Sequence, residues 1–272
     1  MPRLINLHPR RSSALALSAL PFVLLILAYI FGSNLRLAAN PDDKLLPALT
    51  NLLATIKQYA VDEDARSGAV LLWLDTFASL KRIGIALGIS AVFALVVGLA
   101  IGIVPLLRAT FGTFITVISM IPPLAILPIL FIVMGLDELS KVTLIIIGIT
   151  PVMIRDLAQR CAELPAEQLI KAQTLGANSW QLVTRVVLPQ LLPRLLGSLR
   201  LQLCSAWLFL ISAEAIASTE GLGYRIFLVR RYLAMDVILP YVVWITLLAF
   251  LMDWLLRITS RVAFPWAENE RR

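Results

Sequence analysis

Long stretches without charge alternate with short charged segments along the chain. An α-helix needs roughly 20 apolar residues to cross a bilayer core about 30 Å thick, and six stretches meet or approach that length. They span residues 14–31, 83–107, 109–136, 142–154, 201–219 and 237–256. The fourth is short, but Leu139 to Lys141 can extend it because a lysine can direct its ammonium group to the interface. The pattern predicts an all-α membrane protein with six transmembrane helices.

The first stretch follows Arg3, Arg10 and Arg11, which gives it the basic start of a secretory signal peptide. No small-residue cleavage site follows it closely, so we expect the segment to remain in the membrane. The prediction is a first transmembrane helix over residues 14–31, behind a cytoplasmic tail of residues 1–13.

The basic residues of the loops indicate an orientation. With the N-terminus in the cytoplasm, fourteen of the 24 Lys and Arg residues lie inside and ten outside. Lys81 and Arg82 then fall at the outer end of the second helix, where we expect them to extend to the interface or to pair with Asp75. The predicted organisation of the chain after the first helix is an outer segment over 32–75, a core over 76–260 with an inner loop over 155–193, and a cytoplasmic tail over 261–272.

The composition supports a bilayer protein and excludes other classes. Hydrophobic residues make up 59% of the chain and the mean hydropathy is +0.86, above the 45–50% apolar share of soluble domains. The net charge of +7 comes from basic residues that flank apolar stretches without interleaved aromatics, which argues against nucleic-acid binding. Cys161 and Cys204 are far apart and the single histidine, His8, lies in the tail, so no catalytic, metal or cofactor site is expected.

The long inner loop predicts two short helices with a bend between them. Pro165 suits a helix start because its missing N–H would have no partner there. Gly176 can end the first helix in a left-handed conformation, and Asn178 or Ser179 can cap the second. Pro189 is expected to end the second helix. The loop should therefore form a helical hairpin at the membrane surface.

This hairpin resembles the cytoplasmic EAA loop of binding-protein-dependent ABC transport permeases. The resemblance rests on Ala172-Gln173-Thr174-Leu175-Gly176-Ala177, Trp180, Arg185-Val186-Val187-Leu188-Pro189 and Pro193. By position, Ala172 matches the second alanine of the motif, Gly176 its glycine and Pro189 its closing proline. The motif's glutamate falls on Ile170 and its first alanine on Lys171, a departure for which Glu167, one turn earlier, is a candidate substitute. The resemblance implies ATPase coupling by Glu167, Ala172, Thr174, Leu175, Gly176, Ala177, Trp180 and Pro189.

Further motifs are similar to the nitrate, sulfonate, taurine and bicarbonate branch of this family. They are Pro122-Pro123-Leu124-Ala125, Glu138-Leu139-Ser140-Lys141, Ala213-Glu214 and Gly221-Leu222-Gly223-Tyr224. The resemblance implies the type I ABC importer permease fold in a bacterial inner membrane, with segment 32–75 in the periplasm and both termini in the cytoplasm. It also implies a pair of ATP-binding subunits, a second permease copy, a periplasmic or lipid-anchored solute-binding protein and surrounding lipid. Segments such as Arg225-Ile226-Phe227-Leu228-Val229-Arg230-Arg231-Tyr232 are similar to the sequences of permeases grouped with urea carboxylase and guanidine metabolism.

Candidate pathway residues lie within the predicted spans. A lipid-facing Glu214 would cost about 2.5–3.5 kcal/mol at mid-depth, so it should either line the solute pathway or hydrogen-bond to a neighbouring helix. Pro122 and Pro123, next to Ser119, remove backbone donors and predict a kinked helix that lines the pathway or serves structure alone. Asp253 has Arg257 at i+4, which predicts an ion pair.

The sequence leaves the roles of two further sets of residues open. Gly84, Gly88, Gly98 and Gly102 predict close helix packing, with gating as the alternative. Arg225, Arg230 and Arg231 could meet a solute-binding protein or nearby acids such as Glu220 and Asp236.

The sequence indicates an importer subunit that moves a small polar solute. It has no G-x-x-x-x-G-K-[ST] phosphate loop, so ATP would be hydrolysed by a separate subunit and the chain itself would not be an enzyme. An ion-coupled secondary transporter is the alternative, although no half-to-half repeat supports it. An intramembrane enzyme would need a nucleophile and base within the spans. The solute stays open between nitrate, sulfonates, taurine, bicarbonate, vitamin precursors and a guanidine-like or urea-like solute. A cation such as guanidinium would suit the Glu214 carboxylate, whereas an anion would not.

Overall fold

The computed structural model describes residues 11–41, 43–64 and 68–269. Every regular element in these residues is a helix, which confirms the predicted all-α fold. Residues 1–10 of the predicted N-terminal tail, His8 among them, lie outside the described residues, and residues 11–13 already belong to the first helix. The elements are α1 (Arg11–Ala39), α2 (Leu49–Ala60), α3 (Leu71–Ile103), α4 (Pro105–Ile118), α5 (Pro123–Met134), α6 (Glu138–Ala162), α7 (Ala166–Thr174), α8 (Ser179–Leu182), a π-helical segment (Val183–Val187), α9 (Leu188–Ala217), α10 (Leu222–Arg230), α11 (Met235–Ala263) and α12 (Trp266–Asn269).

Five of the described helical bodies are long and apolar enough to cross a bilayer: α1, α3, α6, α9 with the helix that precedes it, and α11. The pair α4 and α5 would make a sixth span, but it bends by 90°. The prediction of one kinked helix over 109–136 was therefore wrong, because the chain breaks between Ser119 and Pro122. Pro122 and Pro123 cannot donate backbone hydrogen bonds to the preceding turn, so the helix stops and restarts.

The second predicted helix also ends earlier than expected. It stops at Ile103, because Pro105 occupies the first turn of α4, where its missing N–H costs nothing. Arg108, which we took as the boundary, lies one turn inside α4 and donates to the carbonyls of Ile101 and Gly102. Proline therefore outweighs charge in setting this boundary.

Helices α3, α6 and α9 pack together as the centre of the molecule. Glycines allow the close approach of α3 to α6: a Cβ atom on Gly98 would lie 2.9 Å from Leu157 Cβ, and one on Gly102 would overlap Cys161. Their predicted packing role is confirmed. Gly84 and Gly88 have no neighbouring atom within 4 Å of an added Cβ, so the same prediction fails for them within this protomer.

The predicted hairpin is present, and its second helix is continuous with a long helix. Gly176 has φ of +84°, and the Asn178 side chain accepts from the Gln181 N–H at 2.8 Å while Gln181 accepts from the Asn178 N–H at 3.0 Å. Pro189 does not end the second helix as predicted. It lies directly after the π-helical segment Val183–Val187, and the helix continues from α8 through this segment into α9.

Candidate functional site

The tip of the hairpin exposes large apolar side chains. We define the hairpin tip as residues 170–180, in which Leu175 is 81% exposed, Trp180 74% and Ile170 58%. Leu175 directly precedes the left-handed bend at Gly176, and Trp180 follows the bend in α8. Because exposed apolar clusters of this kind mark interaction sites, the tip has the character of a docking surface.

The other predicted coupling residues surround this tip, with one exception. Glu167 is exposed in the first turn of α7, Ala172 and Ala177 are half-buried, and the Thr174 hydroxyl donates to the Lys171 carbonyl at 2.9 Å. Pro189 lies apart from them, half-buried in the first turn of α9. The structure thus gathers the predicted set on one hairpin and separates its closing proline.

The break between α4 and α5 carries the predicted pathway residues Ser119, Pro122 and Pro123. Pro122 is exposed and Pro123 half-buried. The Ser119 hydroxyl donates to the Thr116 carbonyl at 2.8 Å and accepts from Arg155 Nη1 at 3.2 Å. Arg155, on α6, therefore brings a positive charge to the bend. Sequence reasoning did not single out this arginine.

Glu214 lies in a fully buried polar cluster instead of an open channel in this conformation. Its carboxylate accepts from Ser79 Oγ at 2.8 Å, from Arg82 Nη1 at 2.7 Å and from the Gly223 N–H at 2.8 Å. Both Glu214 and Ser79 have no exposed surface, and Arg82 is 2% exposed. The carboxylate thus has the contacts expected for the structural alternative, a hydrogen bond between helices.

The Arg82 guanidinium joins this cluster to α6. Its Nε and Nη2 atoms donate to the two Glu138 carboxylate oxygens at 2.6 and 2.7 Å, and Nη1 also donates to the Glu220 carbonyl at 2.9 Å. Glu138 in turn accepts from Lys141 Nζ at 3.0 Å. Arg82 therefore holds α3, α6 and the turn before α10 at one point.

Asp75 does not pair with Arg82, which was one of the two outcomes expected for that arginine. It accepts from Arg225 Nε at 2.8 Å, from the Gly221 N–H at 2.9 Å and from the Tyr241 hydroxyl at 3.2 Å. Burial alone would lower the pKa of Arg225, but the hydrogen bond and charge of Asp75 outweigh it and raise that pKa above its usual value. Arg82 is directed away because Glu138 and Glu214 already occupy its donors.

The two acids together fix the turn between α9 and α10. We call the residues around this turn the buried latch: Asp75, Ser79, Arg82, Glu214 and Arg225. Glu214 and Asp75 bind the N–H groups of Gly223 and Gly221, and Ser79 Oγ accepts from the Leu222 N–H at 2.9 Å. Gly221 has φ of +125°, and a Cβ atom there would lie 2.5 Å from Glu214 Cδ. The sequence signal that could have indicated this cluster is that charged residues lie at the same end of three predicted helices.

Asp253 has the predicted ion pair with Arg257, at 3.5 Å. It also binds Arg200 of α9 through two hydrogen bonds of 2.7 and 3.1 Å, which sequence spacing could not indicate. Asp253 therefore links α11 to α9.

The fold defines a class of protein: a multi-pass helical membrane protein with the fold of the type I ABC importer permeases. A chain of the MetNI methionine ABC transporter, solved in inward-facing conformations, superimposes with a TM-score of 0.58 over 70% of this chain and 96% of its own length, at 21% sequence identity. At that identity the likeness establishes the fold.

The sequence comparisons identify the family. Residues 84–262 match the family described as binding-protein-dependent transport system inner membrane component, and the chain belongs to that family. It is 38% identical over 196 residues to the taurine transport system permease protein TauC of Escherichia coli (strain K12), covering 72% of this chain and 71% of the relative. It is 26% identical over 251 residues to the putative aliphatic sulfonates transport permease protein SsuC of Bacillus subtilis (strain 168), covering 92% of this chain and 87% of the relative. The chain is thus an inner-membrane permease of an ABC importer, which confirms the predicted branch.

Proposed function

We propose that the hairpin tip is the coupling surface on which a separate pair of ATP-binding subunits acts to drive solute import. The observation that carries the proposal is the exposure of Ile170, Leu175 and Trp180 around a glycine bend. Three large apolar side chains in water are unfavourable unless a partner covers them, at about 25 cal/mol for each Å² buried. A cleft on an ATPase subunit would cover them.

The hairpin is built to transmit movement along α9. The capping box between Asn178 and Gln181 fixes the start of the second helix, and Gln190 Nε2 donates to Gln168 Oε1 at 3.0 Å, which ties α7 to α9. The helical body from Ser179 to Ala217 contains 39 residues, or about 58 Å at 1.5 Å per residue. Its far end carries Glu214. Rotation of the hairpin would therefore move the buried latch at the opposite end of the molecule.

The charges support a cytoplasmic hairpin with both termini on the same side. In the predicted topology, fourteen of the 24 Lys and Arg residues lie on the hairpin side of the membrane and ten on the other side. This excess has the direction that the positive-inside rule gives to the cytoplasmic side. We therefore assign the hairpin to the cytoplasm and the latch to the periplasmic side.

We propose a small sulfonate-like anion as the solute, in preference to a guanidine-like cation. The reason to expect a cation was a free Glu214 carboxylate, and Arg82 already neutralises that group. Arg155 instead brings a positive charge to Ser119 at the α4–α5 bend, which we assign, with Pro122 and Pro123, to the pathway. The named functions of the taurine and sulfonate relatives point the same way. A second permease copy would close the pathway, and a solute-binding protein would deliver the solute.

The coupling proposal is tested at Gly176, where an added Cβ would meet no neighbouring atom within 4 Å. Any effect of substitution must therefore come from backbone conformation or from a partner. Asn adopts the left-handed conformation at modest cost, whereas a β-branched residue does not. We expect Gly176→Asn to retain copurification of the ATP-binding subunits and solute-stimulated ATP hydrolysis, and Gly176→Val to lose both. Equal retention by the two variants would refute coupling through this bend.

A second pair separates docking from folding. Leu175→Asp places a charge on the exposed tip, and Tyr232→Asp places one on the exposed loop after α10, at the opposite end of the molecule. We expect the first to reduce copurification of the ATP-binding subunits at least tenfold and the second to reduce it little. Both variants should elute as monodisperse protein, because neither position is buried.

A further inference from the structure

A cavity of about 610 Å³ lies beside the hairpin, among the end of α6, the start of α7, the first half of α9 and the last turns of α11. Five of its lining residues are arginines: Arg160, Arg194, Arg200, Arg257 and Arg261. Glu163 is the one carboxylate among the lining residues that the structure describes. This cavity is separate from the hairpin tip and from the buried latch.

Part of this positive charge is not balanced by the protein. Arg200 and Arg257 share the single carboxylate of Asp253, which does not line the cavity. Arg194 is exposed and has no acidic partner within the described ranges. Three guanidinium groups thus face the cavity with one carboxylate between them. Arg160 is the exception, because Asp156 and Glu163 both lie beside it.

The remaining lining suits an anion at a membrane interface. Ser260 supplies a hydroxyl group, and Phe264 and Trp266 pack edge to face with ring centroids 5.5 Å apart. Trp266 is 51% exposed, as tryptophans at the level of lipid headgroups are. Guanidinium groups bind phosphate oxygens through paired N–H donors, and basic pockets between transmembrane helices bind acidic headgroups.

We infer that this cavity binds a phosphate-bearing anion, either the headgroup of an anionic phospholipid or a free phosphate. The phosphate lies between Arg194 and Arg200 on α9 and Arg257 on α11. It joins α11 to the base of the hairpin, because Gln168 of α7 and Gln190 of α9 line the same cavity. Anion binding here does not depend on the docking of an ATPase, so the two proposals fail separately.

The test uses the full chain in detergent and compares lipids of identical acyl chains. Native mass spectrometry measures the retention of phosphatidylglycerol against phosphatidylcholine, and thermal unfolding measures the effect of inorganic phosphate. The test variant is Arg194→Gln/Arg257→Gln. The matched control is Arg230→Gln/Arg231→Gln, which removes two exposed arginines at the other end of the molecule. Removing two phosphate contacts is expected to weaken binding by roughly ten- to thirtyfold.

Each outcome decides the proposal. Preferential retention of phosphatidylglycerol that is lost in the test variant and kept in the control supports the headgroup. Equal retention of the two lipids, with a rise in melting temperature on adding phosphate that only the test variant lacks, supports the free anion. If wild type shows neither lipid preference nor a phosphate effect, the proposal is overturned without reference to any variant. Equal weakening in both variants also overturns it, because total charge would then be the cause.

Discussion

Removing Arg82 should destabilise the protein more than removing the charge of its buried partner. Replacement of Arg82 by Met leaves the Glu214 carboxylate fully buried, with only the Ser79 hydroxyl and the Gly223 N–H as donors. Loss of one member of a buried ion pair costs about 3–5 kcal/mol, because the remaining charge has no compensation. We expect Arg82→Met to lower the free energy of unfolding by that amount.

The reverse change is less costly because of the geometry around Arg82. In Glu214→Gln, the guanidinium keeps both Glu138 oxygens and the Glu220 carbonyl. Only one hydrogen-bonding group is altered, so we expect a cost of about 1–3 kcal/mol. The double variant should be only about as unstable as Arg82→Met alone, since no charge is then buried without a partner. Residues in contact typically show such a coupling energy of 0.5–3 kcal/mol.

The assay is equilibrium unfolding of the purified chain in mixed micelles, followed by tryptophan fluorescence. Lys81→Met is the matched control, because Lys81 is the exposed neighbour of Arg82 on the same helix. Hydrogen exchange adds a local measurement: the Gly221 and Gly223 amides should lose protection in Arg82→Met before the core helices do. The reasoning is refuted if Arg82→Met costs no more than Glu214→Gln, or if the two costs simply add.

Three further predictions concern packing, capping and a surface ion pair. Gly148→Ala should lower the free energy of unfolding by about 1–3 kcal/mol, because the new methyl group would overlap the Phe209 ring between α6 and α9. Gly84→Ala adds a methyl group in open space and should not destabilise the protein. Equal midpoints of unfolding for the two variants would contradict this. Asn178→Ala should destabilise the start of α8 by about 1 kcal/mol and speed hydrogen exchange of the Gln181 amide. Asn178→Asp keeps an oxygen that accepts from this amide, so the amide should stay protected. Unchanged exchange in the alanine variant would be inconsistent with the cap. Asp253→Asn should lower the free energy of unfolding by at most about 1 kcal/mol, because Arg200 and Asp253 are both partly exposed to solvent. The difference in stability between wild type and variant should shrink in 1 M salt. A larger loss that does not depend on salt would contradict this.

The sequence was sufficient for five of the six predicted spans and for the hairpin, because both depend on local patterns. The bilayer sets a minimum apolar length, and the bend needs a residue such as Gly176 that accepts positive φ. The caps and breaks around the hairpin followed from residue chemistry, apart from Pro189. A proline inside a helix need not end it, and the sequence did not show that a π-helical turn, Val183–Val187, would precede Pro189 and let the helix continue.

Pairing within the buried latch could not be predicted in the same way. Arg82 and Glu214 are 132 positions apart, and Asp75 and Arg225 are 150 apart. Each charged residue was visible at the end of a predicted helix, but the choice of partner depends on how α3, α6 and α9 approach one another. The 90° bend between α4 and α5 is similar, because prolines specify a break while packing against neighbours sets its angle.

Cross-linking at the hairpin tip in native membranes tests the central claim most directly. A cysteine at Leu175, in a chain with Cys204→Ser to remove the exposed native thiol, should form a covalent product with an ATP-binding subunit. A cysteine at Tyr232, exposed at the opposite end, should form none. Failure of the Leu175 position to capture an ATP-binding subunit, or equal capture from Tyr232, would contradict docking at this hairpin.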